Sequence, residues 1–337
     1  MMKRVLGFAI ALFGVAVVAA SPSYASLSVF QSLTGNLNVS TDGCGSTSQD
    51  CTLTANAEFG STVVAAYLYT STFFNGSAVV PTGDTLNGNA VTYTANLGQD
   101  PSNCCQLNAF RADVTSIVAA VIDGGAGGAY NFAMHESAGS QDGEALVVVY
   151  SNGAFAVTTI GILDGFSASA GDTTTISFLN PLDPTAAGFE AEMRLGIGFS
   201  CCGQDSTVTV NGTDITTVAG NNDDGDAVAN GSLITMGGDN DPFSTLLPAY
   251  ADDHERYNLV PYITTGDTSI NVSTLNPSND DNIFLAVFKV TGEGRVDTCN
   301  PNCPPPPTSS APEPGTLALL GIGLASMGLY RRLARKG

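Results

Sequence analysis

The chain has 337 residues, 31 acidic and 11 basic, contains no tryptophan, and carries a formal net charge of −20. Lys3 and Arg4 open the chain and Arg331, Arg332, Arg335 and Lys336 close it, which leaves five basic against thirty acidic residues between Ser26 and Pro312, a balance of −25. That charge argues against nucleic acid or anionic lipid as partners, and a body rich in Gly, Ser, Thr, Asn and Val predicts an all-β fold.

Residues 1–25 read as a secretory signal peptide, with a signal helix over the apolar run Val5 to Ala20 and a small-x-small cleavage site at Ser23-Tyr24-Ala25. The run is shorter than the roughly 20 residues a spanning helix needs, which favours cleavage after Ala25 by signal peptidase. Residues 26–296 alternate short apolar runs with Gly, Asn and Asp punctuation. They predict an antiparallel β-sandwich or jelly-roll-like body, either one large unit or two lobes, 26–150 and 151–296. Candidate strands are Thr62–Tyr69, Ala90–Thr94, Tyr130–Met134, Ala145–Tyr150, Phe155–Ile162, Thr174–Phe178, Met193–Phe199, Thr207–Val210, Ser269–Val272 and Ile283–Val290. One helix is expected at Val114, Ile117, Val118 and Val121, with Asp113 as its N-cap and Gly124-Gly125 as its stop. The segments around Asn87-Gly88 and Asn211-Gly212 resemble each other, and both predict tight hairpins. Related lobes meeting near Tyr150 would account for the echo, and so would recurrent hairpin chemistry.

Eight cysteines in an exported chain predict disulfides. Cys44 with Cys51, and Cys299 with Cys303, are spaced for local bridges. Cys104, Cys105, Cys201 and Cys202 form two adjacent pairs, for which cross-links between pairs strain the peptide less than vicinal bonds. A four-thiolate metal site is the alternative, opposed by the spacing and the oxidising compartment. Four acidic clusters have the chemistry to hold a structural Ca2+: Asp223, Asp224 and Asp226; Asp239 and Asp241; Asp252 and Asp253 beside Glu255; Asp280 and Asp281. The same residues also make ordinary solvated turns. His135 and His254 stand in no catalytic motif, no catalytic residue is predicted, and an enzyme is not expected.

Residues 297–311 form a Pro-rich stem through Pro304 to Pro307, and residues 312–337 combine Pro312, Glu313 and Pro314, an apolar stretch from Thr316 to Tyr330, and the basic finish. This arrangement resembles the PEP-CTERM sorting signal of Gram-negative bacteria. The resemblance implies processing by an exosortase, with a C-terminal transmembrane helix anchoring the body outside the cytoplasm until it passes to the surface or medium. The body is similar to a β-rich domain of such surface proteins through Ala65–Tyr69, Ala109–Thr115, Glu144–Tyr150 and Ile283–Phe288. It implies an adhesin-like or matrix module of unsettled ligand, and the leading expectation is a structural or adhesive protein of the cell surface or biofilm matrix, with polysaccharide or cell-surface glycans as candidate partners. A carbohydrate-binding module, with Tyr67, Tyr69, Phe73 and Phe74 as aromatic contacts, is the alternative. A hydrolase is less favoured for want of aromatic platforms, and ice binding because Thr-x-Thr at Thr52, Thr92 and Thr207 does not repeat as a ladder.

Overall fold

The structure, a computed structural model, describes residues 26–46, 48–73, 79–99, 107–137, 140–168, 170–198, 200–201, 206–220, 227–228, 231–275 and 283–298. In the first half, β1 (Ser28–Gly35), β2 (Leu37–Cys44), β3 (Asp50–Ala57), β4 (Thr62–Thr72), β5 (Thr85–Leu86), β6 (Asn89–Ala90), β7 (Ala95–Gln99) and β8 (Asn108–Asp113) precede helix α1 (Thr115–Ile122), β9 (Gly128–His135) and β10 (Gln141–Ser151). The second half holds β11 (Thr158–Asp164), β12 (Asp172–Phe178), β13 (Ala191–Ile197), β14 (Ser200–Cys201), β15 (Ser206–Val210), β16 (Thr213–Ala219), β17 (Ala227–Val228), β18 (Gly231–Ser232), β19 (Thr235–Met236), β20 (Arg256–Asn258), β21 (Ser269–Leu275), β22 (Ile283–Thr291) and β23 (Gly294–Thr298).

The first half builds one antiparallel sheet in the order β2-β10-β4-β8-β7 and another in the order β3-β9-β5-β6. The second half repeats that plan. Its inner sheet runs β1-β11-β22-β13, with β19 and β20 sharing the outer side of β13, and its outer sheet runs β16-β15-β21-β12-β23. Taken in chain order, β2, β10, β4 and β8 correspond to β11, β22, β13 and the β19/β20 edge, while β3, β9, β5 and β6 correspond to β12, β21, β15 and β16. Each half is therefore a jelly roll, two facing sheets linked by Greek-key crossings. Both Asn-Gly hairpins fall at the same step of the plan. Asn87 (φ 49°) and Gly88 (φ 71°) turn β5 into β6, and Asn211 (φ 48°) and Gly212 (φ 82°) turn β15 into β16, the paired positive φ of a type I′ turn.

Apart from the small sheet β14-β18-β17, the four sheets formed by the described residues stack face to face around three cores. Leu53, Phe132 and Met134 of the first outer sheet meet Leu68, Phe110 and Leu146 of the first inner sheet. Val39, Tyr69, Val147 and Val149 of that inner sheet meet Ile160, Ile162, Phe284 and Val287 of the second. Met193, Leu195 and Phe288 then face Ile176, Val210, Ile270 and Val272 of the second outer sheet. Strands of the two middle sheets are thus covered on both faces, and Ala145–Tyr150 and Ile283–Val290 are buried without interruption. Such runs are usual in parallel sheets; here an antiparallel stack produces them because each middle sheet serves two cores.

Several details depart from the sequence expectations. β1 pairs with β11 from Ser28↔Asp164 to Gly35↔Thr158, so the first strand completes the second lobe's sheet and a division at 26–150 cuts across it. Helix α1 starts one residue late, with Val114 at the N-cap position, because Asp113 ends β8 and its Oδ1 accepts the Thr115 N–H at 2.9 Å. Ala90–Thr94 is strand only to Ala90; Val91 and Tyr93 turn inward as the chain crosses between sheets. The strand expected at Phe155 begins at Thr158. Among the described residues no helix is long and apolar enough to cross a membrane, and the signal helix and the apolar stretch Thr316 to Tyr330 lie outside them.

Gly161, on β11, faces the second outer sheet, and a Cβ there would sit 2.5 Å from Val296 Cγ2, a stiff β-branched side chain. Gly161→Ala should lower the free energy of unfolding by about 1–3 kcal/mol in urea titration. Gly153→Ala, where a Cβ meets nothing within 4 Å, should change it by less than about 0.5 kcal/mol.

Candidate functional site

The middle layer is apolar over only part of its area. Met193 and Leu195 of β13 point toward the outer sheet, so strand alternation turns Glu192 and Arg194 toward the first lobe. Lys289 joins them from β22, next to β13 in the sheet, and Arg256 from β20 on the other side. Arg194 donates to Glu192 Oε1 at 2.9 Å, to Asp239 Oδ1 at 2.6 Å and to Thr41 Oγ1 of the first lobe at 2.7 Å. Arg256 reaches Glu192 Oε2 at 3.3 Å, and Lys289 reaches Glu190 at 2.8 Å and Glu192 at 3.8 Å. Burial alone would raise the Glu192 pKa, but Arg194, Lys289 and Arg256 outweigh it and hold the carboxyl below its ordinary value.

Asp239 arrives on an insertion. β19 and β20 pair with successive stretches of β13, and residues 237–255 leave the sheet edge between them. The insertion docks on β2: Asp239 N–H donates to Thr41 O at 3.0 Å, Thr41 Oγ1 to Gly237 O at 2.7 Å, and Ser40 Oγ to Asp239 Oδ2 at 2.5 Å. A separate ion pair, Arg111 with Asp164, joins β8 to β11, and the Arg111 guanidinium lies 3.2 Å from the centroid of Phe30.

The charged side of the layer opens into a cleft of about 640 Å³ between the lobes, lined by Asn38, Asn56, Glu58 and Tyr150 from one side and by Glu192, Arg194, Asp239, Phe243, Arg256, Asn258 and Lys289 from the other. Phe243 is 44% exposed, with the Arg256 guanidinium 4.6 Å from its centroid. A smaller recess of about 300 Å³ adjoins through Asn56 and Asp239, and Asp42 lines it. Burial, reinforced by the carboxylates of Asp241 and Asp239, raises the Asp42 pKa to about 7, although the Thr54 N–H donates to its Oδ2 at 2.6 Å. This arrangement can hold a polar ligand between fixed donors and acceptors.

The structure disperses the acidic residues proposed as cation ligands. Asp239 is committed to Arg194, and Asp241 lies beside Asp42, where its Oδ2 accepts the Gly238 N–H. Asp252 is exposed in a 3-10 turn, while Asp253 is buried against Thr216 and Ser244 in the second lobe. Among the described residues no group of three or more His, Cys, Asp or Glu is arranged to hold a metal ion. Asp223, Asp224, Asp226, Asp280 and Asp281 lie outside the described residues. Cys44 and Cys51 are joined by a disulfide. Cys201 ends β14, and Cys104, Cys105, Cys202, Cys299 and Cys303 lie outside the described residues. Tyr67 and Tyr69 are not ligand contacts: two apart on β4, they share the face that packs against the second lobe and are 7% and 0% exposed. Phe73 packs at the margin of that core, and Phe74 is outside the description. Nothing in the sequence marked the cleft: Ser40, Thr41 and Glu192 stand in no motif, and their partners Asp239, Arg194 and Arg256 come from other strands or from the insertion.

Residues 310–336 match the family model described as PEP-CTERM protein-sorting motif. That span contains Pro312, Glu313, Pro314, Arg331, Arg332, Arg335 and Lys336, all outside the described residues. The chain therefore carries the sorting motif of an exported protein at residues 310–336. None of the curated proteins matches the chain. Among solved structures, the crystal structure of BuGH86wt in complex with neoagarooctaose aligns with 79% of this chain and 35% of its own, at 11% identity and a TM-score of 0.21. A variant of that protein with the same ligand gives 12% and 0.22. The chain spans about a third of their length, and overlaps this weak transfer neither fold nor activity.

Because Asp42 is held protonated above its unfolded range, whose value is 3.8, its contribution to stability is full below pH 3.8 and lost as pH rises through about 7. Asp42→Asn, which keeps an oxygen for Thr54, should therefore be more stable than the native protein at pH 8 by about 2–4 kcal/mol. The two should converge near pH 4, as read from denaturant midpoints across pH.

Proposed function

We propose that this chain is a structural and adhesive protein of the cell surface or extracellular matrix, processed by an exosortase after signal peptidase has removed residues 1–25. Its adhesive contact is a polysaccharide segment held in the cleft between the lobes. The observation that carries this reading is the Glu192 lock. A glycan site needs immobile donors and acceptors, and three cations fix this carboxylate between them. Phe243 adds an exposed apolar surface at the rim on which a sugar ring can rest.

The same lock rules out Glu192 itself as the proton donor of a glycoside hydrolysis, while Asp42, raised to about 7, lines the adjoining recess. Glycoside hydrolysis requires one carboxyl with a raised pKa to protonate the leaving oxygen, opposite a second that stays ionised. Glu192 is held ionised, so it serves as an acceptor and not as an acid. Asp297 and Thr298 still belong to β23, so the body runs to Thr298, and the Pro-rich sequence after it, with the tail beyond, fits a body displayed at a distance from the membrane until the tail is cut.

Affinity electrophoresis in gels cast with bacterial polysaccharides should retard the body, and Phe243→Ala should weaken retardation at least tenfold, about 1.4 kcal/mol. No retardation by any polysaccharide, or release of reducing ends over time, would refute the glycan-binding role. Mass spectrometry of the surface-released protein should find a C-terminus near Pro312–Pro314; a released chain still ending at Gly337 contradicts exosortase processing.

A further inference from the structure

The second lobe grips the chain from Ser26 onward. Leu27 is 2% exposed in the core of that lobe, and β1 begins at Ser28, opposite Asp164. Ser26 and Leu27 lie against the connection from β11 to β12, where Gly165 takes φ 119° and a Cβ would collide with Ser26 O. At the end of that connection stands Asp172, 7% exposed at the start of β12. Its Oδ1 accepts the Ser26 hydroxyl at 2.6 Å, and its Oδ2 accepts the Ala168 N–H at 2.7 Å and the Leu27 N–H at 3.5 Å.

These donors are all neutral, whereas a carboxylate taken out of water calls for a counter-charge as well as hydrogen bonds. The five side-chain cations of the body are spent elsewhere: Arg111 on Asp164, Arg194 on Glu192 and Asp239, Arg256 on Glu192, Lys289 on Glu190 and Glu192, and Arg295 on Asp297. No side-chain cation pairs with Asp172 among the described residues.

Processing makes a sixth cation. In the unprocessed chain the Ser26 nitrogen is an uncharged amide, and cleavage after Ala25 turns it into an α-ammonium group. Nitrogen and hydroxyl of one serine are neighbours, so that group stands within ion-pair reach of a carboxylate whose Oδ1 is 2.6 Å from the hydroxyl.

We infer that signal-peptidase cleavage delivers the α-ammonium group of Ser26 onto Asp172, an ion pair that pins β1 to the edge of the second lobe's inner sheet. The pair rests on the removal of residues 1–25 proposed for this chain. A protease must hold the chain on both sides of the bond it cuts, and Leu27 is buried once β1 has docked. Cleavage therefore comes first, and the sheet is completed in the processed protein.

Few charged groups face Ser26. Asp172 comes from β12 and Asp164 from β11, the latter held by Arg111, and residues 165–171 contain none that titrate. An α-amino group has an ordinary pKa of about 7.7–8.0. The ion pair raises it in the folded state, so the stability it contributes is full below that range and lost as pH rises through the folded value.

The test uses the exported protein, whose N-terminus is first read by mass spectrometry. A start other than Ser26 overturns both the processing and the pair. With Ser26 first, the amine is dimethylated with a carbon-13 label and titrated by NMR. Its pKa in the folded protein should lie about one unit above its value in the urea-unfolded chain. Equal values overturn the pair while leaving the processing intact. Asp172→Asn, which keeps an oxygen for the neutral donors, should abolish the difference, and a difference that survives the substitution contradicts Asp172 as the partner. Between about pH 7.5 and 9.5 the native protein should lose about 2–4 °C of melting temperature relative to Asp172→Asn. Asp42 and Glu136, which titrate near 7, are present in both proteins and cancel in that comparison. Parallel melting curves across this range would overturn the ion pair.

Discussion

Arg194 lies on the second inner sheet with 2% of its side chain exposed, and its guanidinium spans from Glu192 on its own strand to Asp239 of the insertion and Thr41 of the first lobe. Burial would lower its pKa, yet Glu192 and Asp239 more than compensate and raise it. Removing one partner of such a buried set costs about 3–5 kcal/mol, because the charges left behind remain desolvated. Five basic residues serve thirty acidic ones in the body, and four of the five sit on the two inner sheets. The geometry of the cleft follows: Glu192 is fixed by three cations, the insertion is held by Asp239, and both lobes reach the same guanidinium.

The apolar part of the same layer explains why the lobes are not independent beads. Each middle sheet packs on both faces, and β1 belongs by sequence to the first half but by hydrogen bonding to the second. The chain therefore crosses between the lobes more than once. Ions orient this contact, and apolar area supplies most of its strength, since hydrophobic burial scales with surface while buried ion pairs contribute little net stability.

What the sequence made legible was local. Asn87-Gly88 and Asn211-Gly212 announced tight hairpins because few residues accept two successive positive φ values, and the β5–β6 and β15–β16 hairpins turn there. The unbroken runs Ala145–Tyr150 and Ile283–Val290 announced buried strands. Long-range effects were hidden. Ser40 and Thr41 carry no local signal, since their partners Asp239 and Arg194 lie 199 and 153 residues away. Asp239 and Asp253 come from two acidic clusters of one insertion, and the fold turns the first to Ser40 of the first lobe and the second to Thr216 of the second. Glu144 looked like the polar start of an apolar strand, and only the fold shows it sealed beside Glu136 and Asp84. The C-terminal sorting motif was legible because such segments are read as linear patterns, and residues 310–336 match it.

Packing of the two inner sheets makes the jelly rolls one cooperative unit, so that the cleft between them is a fixed structure. Differential scanning calorimetry of the body tests it most directly, because independent lobes unfold separately while a fused stack does not. A fused stack should give one transition whose calorimetric and van't Hoff enthalpies agree. Two resolved transitions, or a calorimetric enthalpy near twice the van't Hoff value, would contradict it.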